Sequence, residues 1–228
     1  MRIRIATYNI HRCIGRDGIE SPDRIAEVLN GVDPDVAALQ EVGFRGAPPR
    51  SILSRLAAAV DGRAIPGPTL LDEKGAYGNV ALTRIRPVWI ERLDLSLPDR
   101  EPRGAIFLML RINGRAVRVI ATHLGLRPGE RRYQMRRLLG LLDRTTAAVT
   151  ILMGDFNEWF TWGRPVRWVN HRLGAMPAPP TFPSRRPFLA LDRIWVHPPN
   201  HLASIRPYAA PPAPLASDHL PLIAELRF

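Results

Sequence analysis

Cysteine is nearly absent from this 228-residue chain. Cys13 stands alone, so no internal disulfide can staple the fold and no cysteine cage can hold zinc. Lysine is equally scarce: Lys74 is the single exception among 32 basic residues, and arginine carries the remaining positive charge. No apolar run approaches the ~20 residues that a helix needs to cross a bilayer. The stretch from Met1 to His11 alternates charged and apolar residues and lacks the apolar core of a signal peptide. It reads as a first strand, and the expected address is cytoplasmic. Wholesale disorder is excluded as well, because 46% of the residues are hydrophobic and only 23% charged.

Charge of one sign is in excess. The 32 Lys and Arg against 21 Asp and Glu give a net +11, which favours polyanionic partners such as nucleic acid, anionic lipid headgroups or phosphorylated substrates. A G+C-rich coding sequence would also enrich arginine over lysine, so charge alone names no partner. The length suits one large domain, residues 1–228.

Apolar or alternating runs predict strands at Ile3–Ile10, Val36–Gln40, Asn79–Arg84, Ala105–Ile112, Ala116–Thr122, Thr150–Met153, Leu191–Val196 and Leu220–Leu226. Asn113-Gly114 between two of them predicts a two-residue hairpin turn. Helices are fewer. Ser21-Pro22 is an N-cap followed by a first-turn proline, with Ile25, Val28 and Leu29 at helical spacing behind it. Ser51–Val60 and Glu130–Arg144 each carry one apolar face. Arg131, Arg132, Arg136 and Arg137 read as a solvated surface of the second of these, with contact to phosphate backbone or lipid as the alternative. The Pro-rich region from Trp159 to Pro214 reads as surface loops around one strand, and Trp159, Phe160, Trp162 and Trp168 within it as packing aromatics. Stacking on a substrate or dipping into a membrane is the second reading of that cluster. The class is α+β, sheets covered by helices.

Polar residues interrupt or end these strands six times: Thr7-Tyr-Asn9-Ile-His11, Gln40-Glu41, Thr122-His123, Gly154-Asp155-Phe-Asn157, Leu191-Asp192 and Ser217-Asp218-His219. One such residue is ordinarily a turn former. Burying this many ionisable groups costs several kcal/mol each unless a metal ion or partner compensates them.

In this order the six segments resemble the endonuclease/exonuclease/phosphatase superfamily, which includes pancreatic-type deoxyribonuclease, abasic-site endonucleases, neutral sphingomyelinases and inositol-polyphosphate 5-phosphatases. The resemblance runs from about Arg4 to Leu222. It implies a four-layer α/β/β/α sandwich, two mostly antiparallel central sheets flanked by helices, with the active site at one end. It further implies metal-dependent phosphodiester hydrolysis with Mg²⁺ or Mn²⁺, the cation held by Glu41, Asn9 and Asp218. Hard oxygen donors suit those ions better than zinc.

By the same resemblance Asp192 and His219 form an Asp–His pair. His219 then orients or deprotonates the attacking water, or stabilises the transition state. Asp155 orients the nucleophile and Asn157 donates to a phosphate oxygen. Arg103 and Asn79 are expected at the phosphate. His123 is expected to protonate the leaving oxygen or to bind phosphate; abasic-site enzymes carry tyrosine in the matching segment, so repair of that kind is disfavoured. His11, two residues after Asn9, is expected on the same strand face. The substrate implied is a phosphate ester, nucleic acid or lipid headgroup, with transient contact to an anionic membrane and no obligate protein partner. The competing reading is an inactive family member that binds nucleic acid or protein; its signature, a lost metal Glu or lost Asp–His pair, is not found here.

Overall fold

The computed structural model describes residues 1–44, 51–72, 75–143 and 146–228; Lys74 and Arg144 lie outside the described residues. Among the described residues, eleven strands form two sheets. The first contains β1 (Arg2–Asn9), β2 (Val36–Phe44), β3 (Arg63–Asp72), β4 (Gly75–Thr83), β10 (Leu202–Pro207) and β11 (Leu222–Arg227), in the order β10-β11-β1-β2-β4-β3. The second contains β5 (Trp89–Asp94), β6 (Gly104–Ile112), β7 (Arg115–His123), β8 (Val149–Asp155) and β9 (Asp192–His197), in chain order. Pairing is antiparallel except at β1–β2 and β7–β8. Each parallel pair needs a crossover, supplied by helices α1 (Pro22–Val32) and α3 (Pro128–Leu142).

The central strands read as near-continuous apolar runs because both of their faces are buried. Successive residues simply enter different layers. Ile3 and Ile5 of β1 join Val119, Ala121, Ile151 and Met153 of the second sheet in an apolar layer between the sheets. Ala6 and Tyr8 face the opposite way, towards α1 and α2 (Ile52–Ala59). In the second sheet Ile120 and Leu152 face α3 and α4 (Arg164–Leu173). The result is helix, sheet, sheet, helix. Burying each Ile, Leu or Val side chain contributes roughly 1.5–3 kcal/mol, so the period-2 pattern fixes both register and layering.

Local signals account for the ends. The Ser21 hydroxyl accepts from the Arg24 amide at 3.2 Å to start α1, and Asp33 closes that helix in the left-handed region. Asn113 and Gly114, with φ of 49° and 76°, make the expected tight hairpin between β6 and β7. Strands β3, β5 and β10 were not expected, and all three are edge strands. Edge strands tolerate Pro66, Pro68 and Pro207 and expose one face, so the apolar signal is weak.

Three expectations need correction. The Pro-rich region from Trp159 to Pro214 is not all loop around one strand: it holds α4, β10 and the short helix α5 (Ala213–Ala216). Arg131 is not solvated but buried, paired with Glu158 at 3.1 Å, while Arg136 and Arg137 are exposed. Of Trp159, Phe160, Trp162 and Trp168, the last alone packs against the outer core, and the other three stand exposed. Among the described residues no helix is long and apolar enough to cross a membrane.

Candidate active site

Strand register brings the first residues together. His123 pairs with Asp155 across β7–β8, and Asp155 pairs with Asp192 across β8–β9, so three neighbouring strands present polar groups at one level. Gly154 permits this closeness. A Cβ there would lie 1.9 Å from the Thr122 carbonyl oxygen, and φ is 155°. Phe156, buried against Trp195 with ring centroids 4.8 Å apart, anchors the chain just beyond Asp155.

The first sheet contributes from the facing side. Between Leu39 and Val42 the register of β2 against β4 shifts, and Glu41 adopts a φ of 58°. Such a bulge re-aims a side chain at the cost of local strain, and strained backbone gathers at working sites. The Asn9 amide nitrogen, at the end of β1, donates to Glu41 Oε1 and to Asp155 Oδ2, both at 3.0 Å. Asn9 therefore joins the two sheets. Its own position is held by Ser217, whose hydroxyl donates to the Asn9 carbonyl at 2.7 Å, and by its side-chain oxygen, which accepts from the His11 amide.

His219 lies between carboxylates. Its Nδ1 is 2.8 Å from Asp192 Oδ2, and its Nε2 is 3.8 Å from Asp155 Oδ2. Burial opposes a charge on this ring, but Asp192 and Asp155, the hydrogen bond to Asp192 and the nearby Asp218 outweigh it and push its pKa up to about 10. Thr181 donates to the same Asp192 oxygen at 2.6 Å, while Asp192 Oδ1 is buried with no hydrogen-bond partner. Donor atoms of Asp155, Asp192 and His219 lie within 4.8 Å of one another, a spacing a metal ion would accept. Because Asp192 already takes the His219 Nδ1, we read this trio as a hydrogen-bonded dyad beside Asp155 rather than as the cation's own cage.

His123 has the opposite character. Burial, then the Arg103 guanidinium and His219, lower its pKa to about 3 against the pull of Asp155. Asn157 explains the tautomer. Its amide nitrogen donates to the Leu124 carbonyl at 2.9 Å and reaches His123 Nε2 at 3.0 Å, so that ring nitrogen accepts and the proton resides on Nδ1. Asn157 itself has φ 49°, and its backbone amide donates to Asp155 Oδ1.

Glu41, Tyr77, Asn79, Arg103 and His123 line one narrow cleft. Asn79 is held there by donation to the Gly104 carbonyl. Arg103 is buried, and Glu101 accepts from both of its terminal nitrogens at 2.8 and 3.2 Å. Nine of the ten expected residues thus converge: Asn9, Glu41, Asn79, Arg103, His123, Asp155, Asn157, Asp192 and His219. Asp218 is set apart. It is half-buried, accepts from Ser217 at 3.3 Å, and acts on His219 through its field. His11 also departs from expectation, because β1 ends at Asn9; His11 turns into a short 3-10 segment and faces the Ile14 carbonyl.

Several residues that hold the site were given no role of their own in the sequence. Ser217 fixes Asn9 and accepts from the His219 amide, Thr181 fixes Asp192, and a buried Thr7–Gln40 pair braces β1 against β2. Small hydroxyls carry no periodic signal, so only three-dimensional contact reveals them.

Comparison with known proteins agrees with this geometry. The sequence profile described as the Endonuclease/Exonuclease/phosphatase family matches residues 6–219. The uncharacterized protein YbhP of Escherichia coli K12 is 28% identical, the match covering 98% of this chain and 96% of that one. An endonuclease/exonuclease/phosphatase structure from Beutenbergia cavernae superposes with a TM-score of 0.80 at 24% identity, over 100% of this chain and 72% of that one. A Bacteroides thetaiotaomicron structure described as mannosyl-6-phosphatase Bt3783 gives 0.76 at 18% identity, over 99% of this chain and all of that one. With a family profile spanning nearly its full length and the same two-sheet sandwich, this chain belongs to the Endonuclease/Exonuclease/phosphatase family.

Proposed function

We propose that the whole chain acts as one catalytic unit, a divalent-metal-dependent phosphoesterase that hydrolyses a phosphodiester. The observation that supports this reading is the Asn9 amide bridging Glu41 and Asp155, with the Asp192–His219 pair beside Asp155 and the His219 Nε2 3.8 Å from that carboxylate. The donor set fits Mg²⁺ or Mn²⁺. Glu41 and Asp155 share a single neutral donor, the Asn9 amide, and the oxygens offered are hard. Glu41 would hold the ion, with Asp218 at its margin; Asn9, whose amide nitrogen donates to Glu41 and Asp155 while its side-chain oxygen accepts from the His11 amide, positions that carboxylate rather than ligating the ion. The cation would supply positive charge against the phosphate at the moment negative charge builds up there.

The chain's own residues account for the other requirements. Asp155, fixed by Asn9 and the Asn157 amide, orients a water for attack on phosphorus. The charged His219 ring, held by Asp192, donates towards a phosphoryl oxygen and stabilises charge in the transition state. Its raised pKa supports this role over removal of a proton from water. His123 is neutral with its proton on Nδ1, which supports phosphate binding over proton donation to the leaving oxygen. Arg103 and Asn79 line the cleft where a phosphate would lie.

The test is turnover of bis-p-nitrophenyl phosphate with Mg²⁺ or Mn²⁺. EDTA, Glu41→Gln and His219→Ala should each lower the rate by at least ~100-fold, the scale of a lost acid–base or electrostatic group. Undiminished turnover by either folded variant would assign the chemistry elsewhere, and no turnover by the wild type would leave the chain as an inactive member of its family.

A further inference from the structure

The loop that follows Asn157 has an unusual surface. Trp159, Phe160 and Trp162 are 64%, 53% and 70% exposed, and Leu126, on the neighbouring loop, is 68% exposed. Isolated exposed apolar residues need no explanation, but a contiguous set beside a catalytic cleft does. The two loops are adjacent because Asn157 donates to the Leu124 carbonyl. They are also clamped. Buried Arg131 pairs with Glu158 at 3.1 Å and donates to the Leu126 carbonyl at 2.5 Å. The other Glu158 oxygen accepts from the Phe160 amide at 3.3 Å, and the Glu158 carbonyl accepts from Arg193. Gly163 closes the loop so tightly that a Cβ there would lie 2.4 Å from the Glu158 carboxyl carbon. The aromatics are thus held outward by a buried framework, and little ordering entropy remains to be lost on binding.

We infer that Leu126, Trp159, Phe160 and Trp162 form a wedge that inserts into the surface of an anionic lipid bilayer. The ring centroids of Phe160 and Trp162 are 5.1 Å apart with planes 33° apart, so the two rings pack on each other and no nucleobase can insert between them. Leu126 offers no stacking face at all. Charge completes the match. Arg127 follows Leu126, while Arg164 and Arg167 follow Trp162; all three are exposed, and among the described residues none has an ion-pair partner. Indoles at the depth of the headgroups with arginines beside them suit a negatively charged leaflet. Docking of this kind would bring the cleft to lipid headgroups. That consequence rests on the proposed phosphoesterase function, whereas the docking itself does not.

The experiment measures co-sedimentation of the full chain with vesicles of phosphatidylcholine alone and with 30% phosphatidylglycerol, in EDTA so that turnover plays no part. Wild type should bind the anionic vesicles and be released by salt. Brominated lipid should quench its tryptophan fluorescence. The triple variant Trp159→Ser, Phe160→Ser, Trp162→Ser should bind at least ~10-fold more weakly, with an unchanged melting temperature and unchanged turnover of bis-p-nitrophenyl phosphate. Wild type remaining in the supernatant, or a triple variant that binds as well as wild type, would overturn the inference. So would a single-stranded oligonucleotide bound through the same three residues. Vesicle binding by a wild type that leaves bis-p-nitrophenyl phosphate intact with Mg²⁺ or Mn²⁺ would overturn the proposed function and leave the docking surface standing.

Discussion

Replacing Asp192 with asparagine changes one atom type in the core of the site. The amide oxygen can still accept from Thr181 and from His219 Nδ1, now at 2.6 and 2.8 Å, so the geometry is preserved while the charge is removed. A unit charge ~4 Å away at an effective dielectric of ~20 is worth about 4 kcal/mol, and one pH unit corresponds to about 1.4 kcal/mol. Asp192→Asn should therefore bring the His219 pKa from about 10 down to the ordinary imidazole range or below it. Stability follows with a definite sign. Because the folded-state value lies above the unfolded value of 6.5, the charged ring stabilises the wild type fully below pH 6.5, and that contribution is lost as pH rises towards 10. The variant should lack this alkaline decline. Its turnover at pH 8 should fall ~10-fold or more, since no more than about a tenth of the rings then stay charged. Titration of the imidazole by NMR, paired with urea melts across pH 6 to 10, reads both quantities. A ring that stays charged at pH 9 in the variant would refute the electrostatic account of the dyad.

Other outcomes follow from the same geometry. His123 is kept neutral by burial, so the wild type should lose stability as pH falls from 6.5 towards 3, by about 2 kcal/mol at pH 5 relative to His123→Gln; parallel urea titration curves for the two proteins at pH 7 and pH 5 would contradict this. Glu101→Gln should release the Arg103 guanidinium and lower KM roughly threefold to tenfold, because the half-exposed Glu101 carboxylate occupies the nitrogens that a phosphate would use. A raised KM would show instead that Glu101 holds Arg103 in its working position. Gly154→Ala should cost more than ~3 kcal/mol or prevent folding, since the new methyl would overlap the Thr122 oxygen; a thermal melt within a few degrees of wild type would argue against the close approach of β7 and β8.

The inner strands and the polar residues at their ends were legible in the sequence because both follow from burial. A strand covered on both faces must be apolar throughout, which makes Asn9, His123, Asp155 and Asp192 conspicuous as interruptions. The edge strands β3, β5 and β10 were not legible, since exposure dilutes their pattern and proline is tolerated there. Helix α4 was obscured by its proline-rich surroundings, although Pro165 sits in its first turn, where proline belongs. Arg131 and the aromatic loop were misread for one shared reason. Spacing shows which residues lie on a common face but not which face another element will cover. Glu158 buries Arg131 from a distant part of the chain, and among the described residues nothing covers Trp159 and Trp162.

The Asn9 amide spans the seam between the two halves of the sandwich, and this makes catalysis a gauge of how the halves are seated. A slip of even one ångström of one sheet over the other would part Asn9 from Asp155 while each sheet kept its own ladder of hydrogen bonds. Substitutions far from the cleft that thin the layer between the sheets, such as Leu110→Ala, should consequently blunt turnover at temperatures where the backbone is still fully folded.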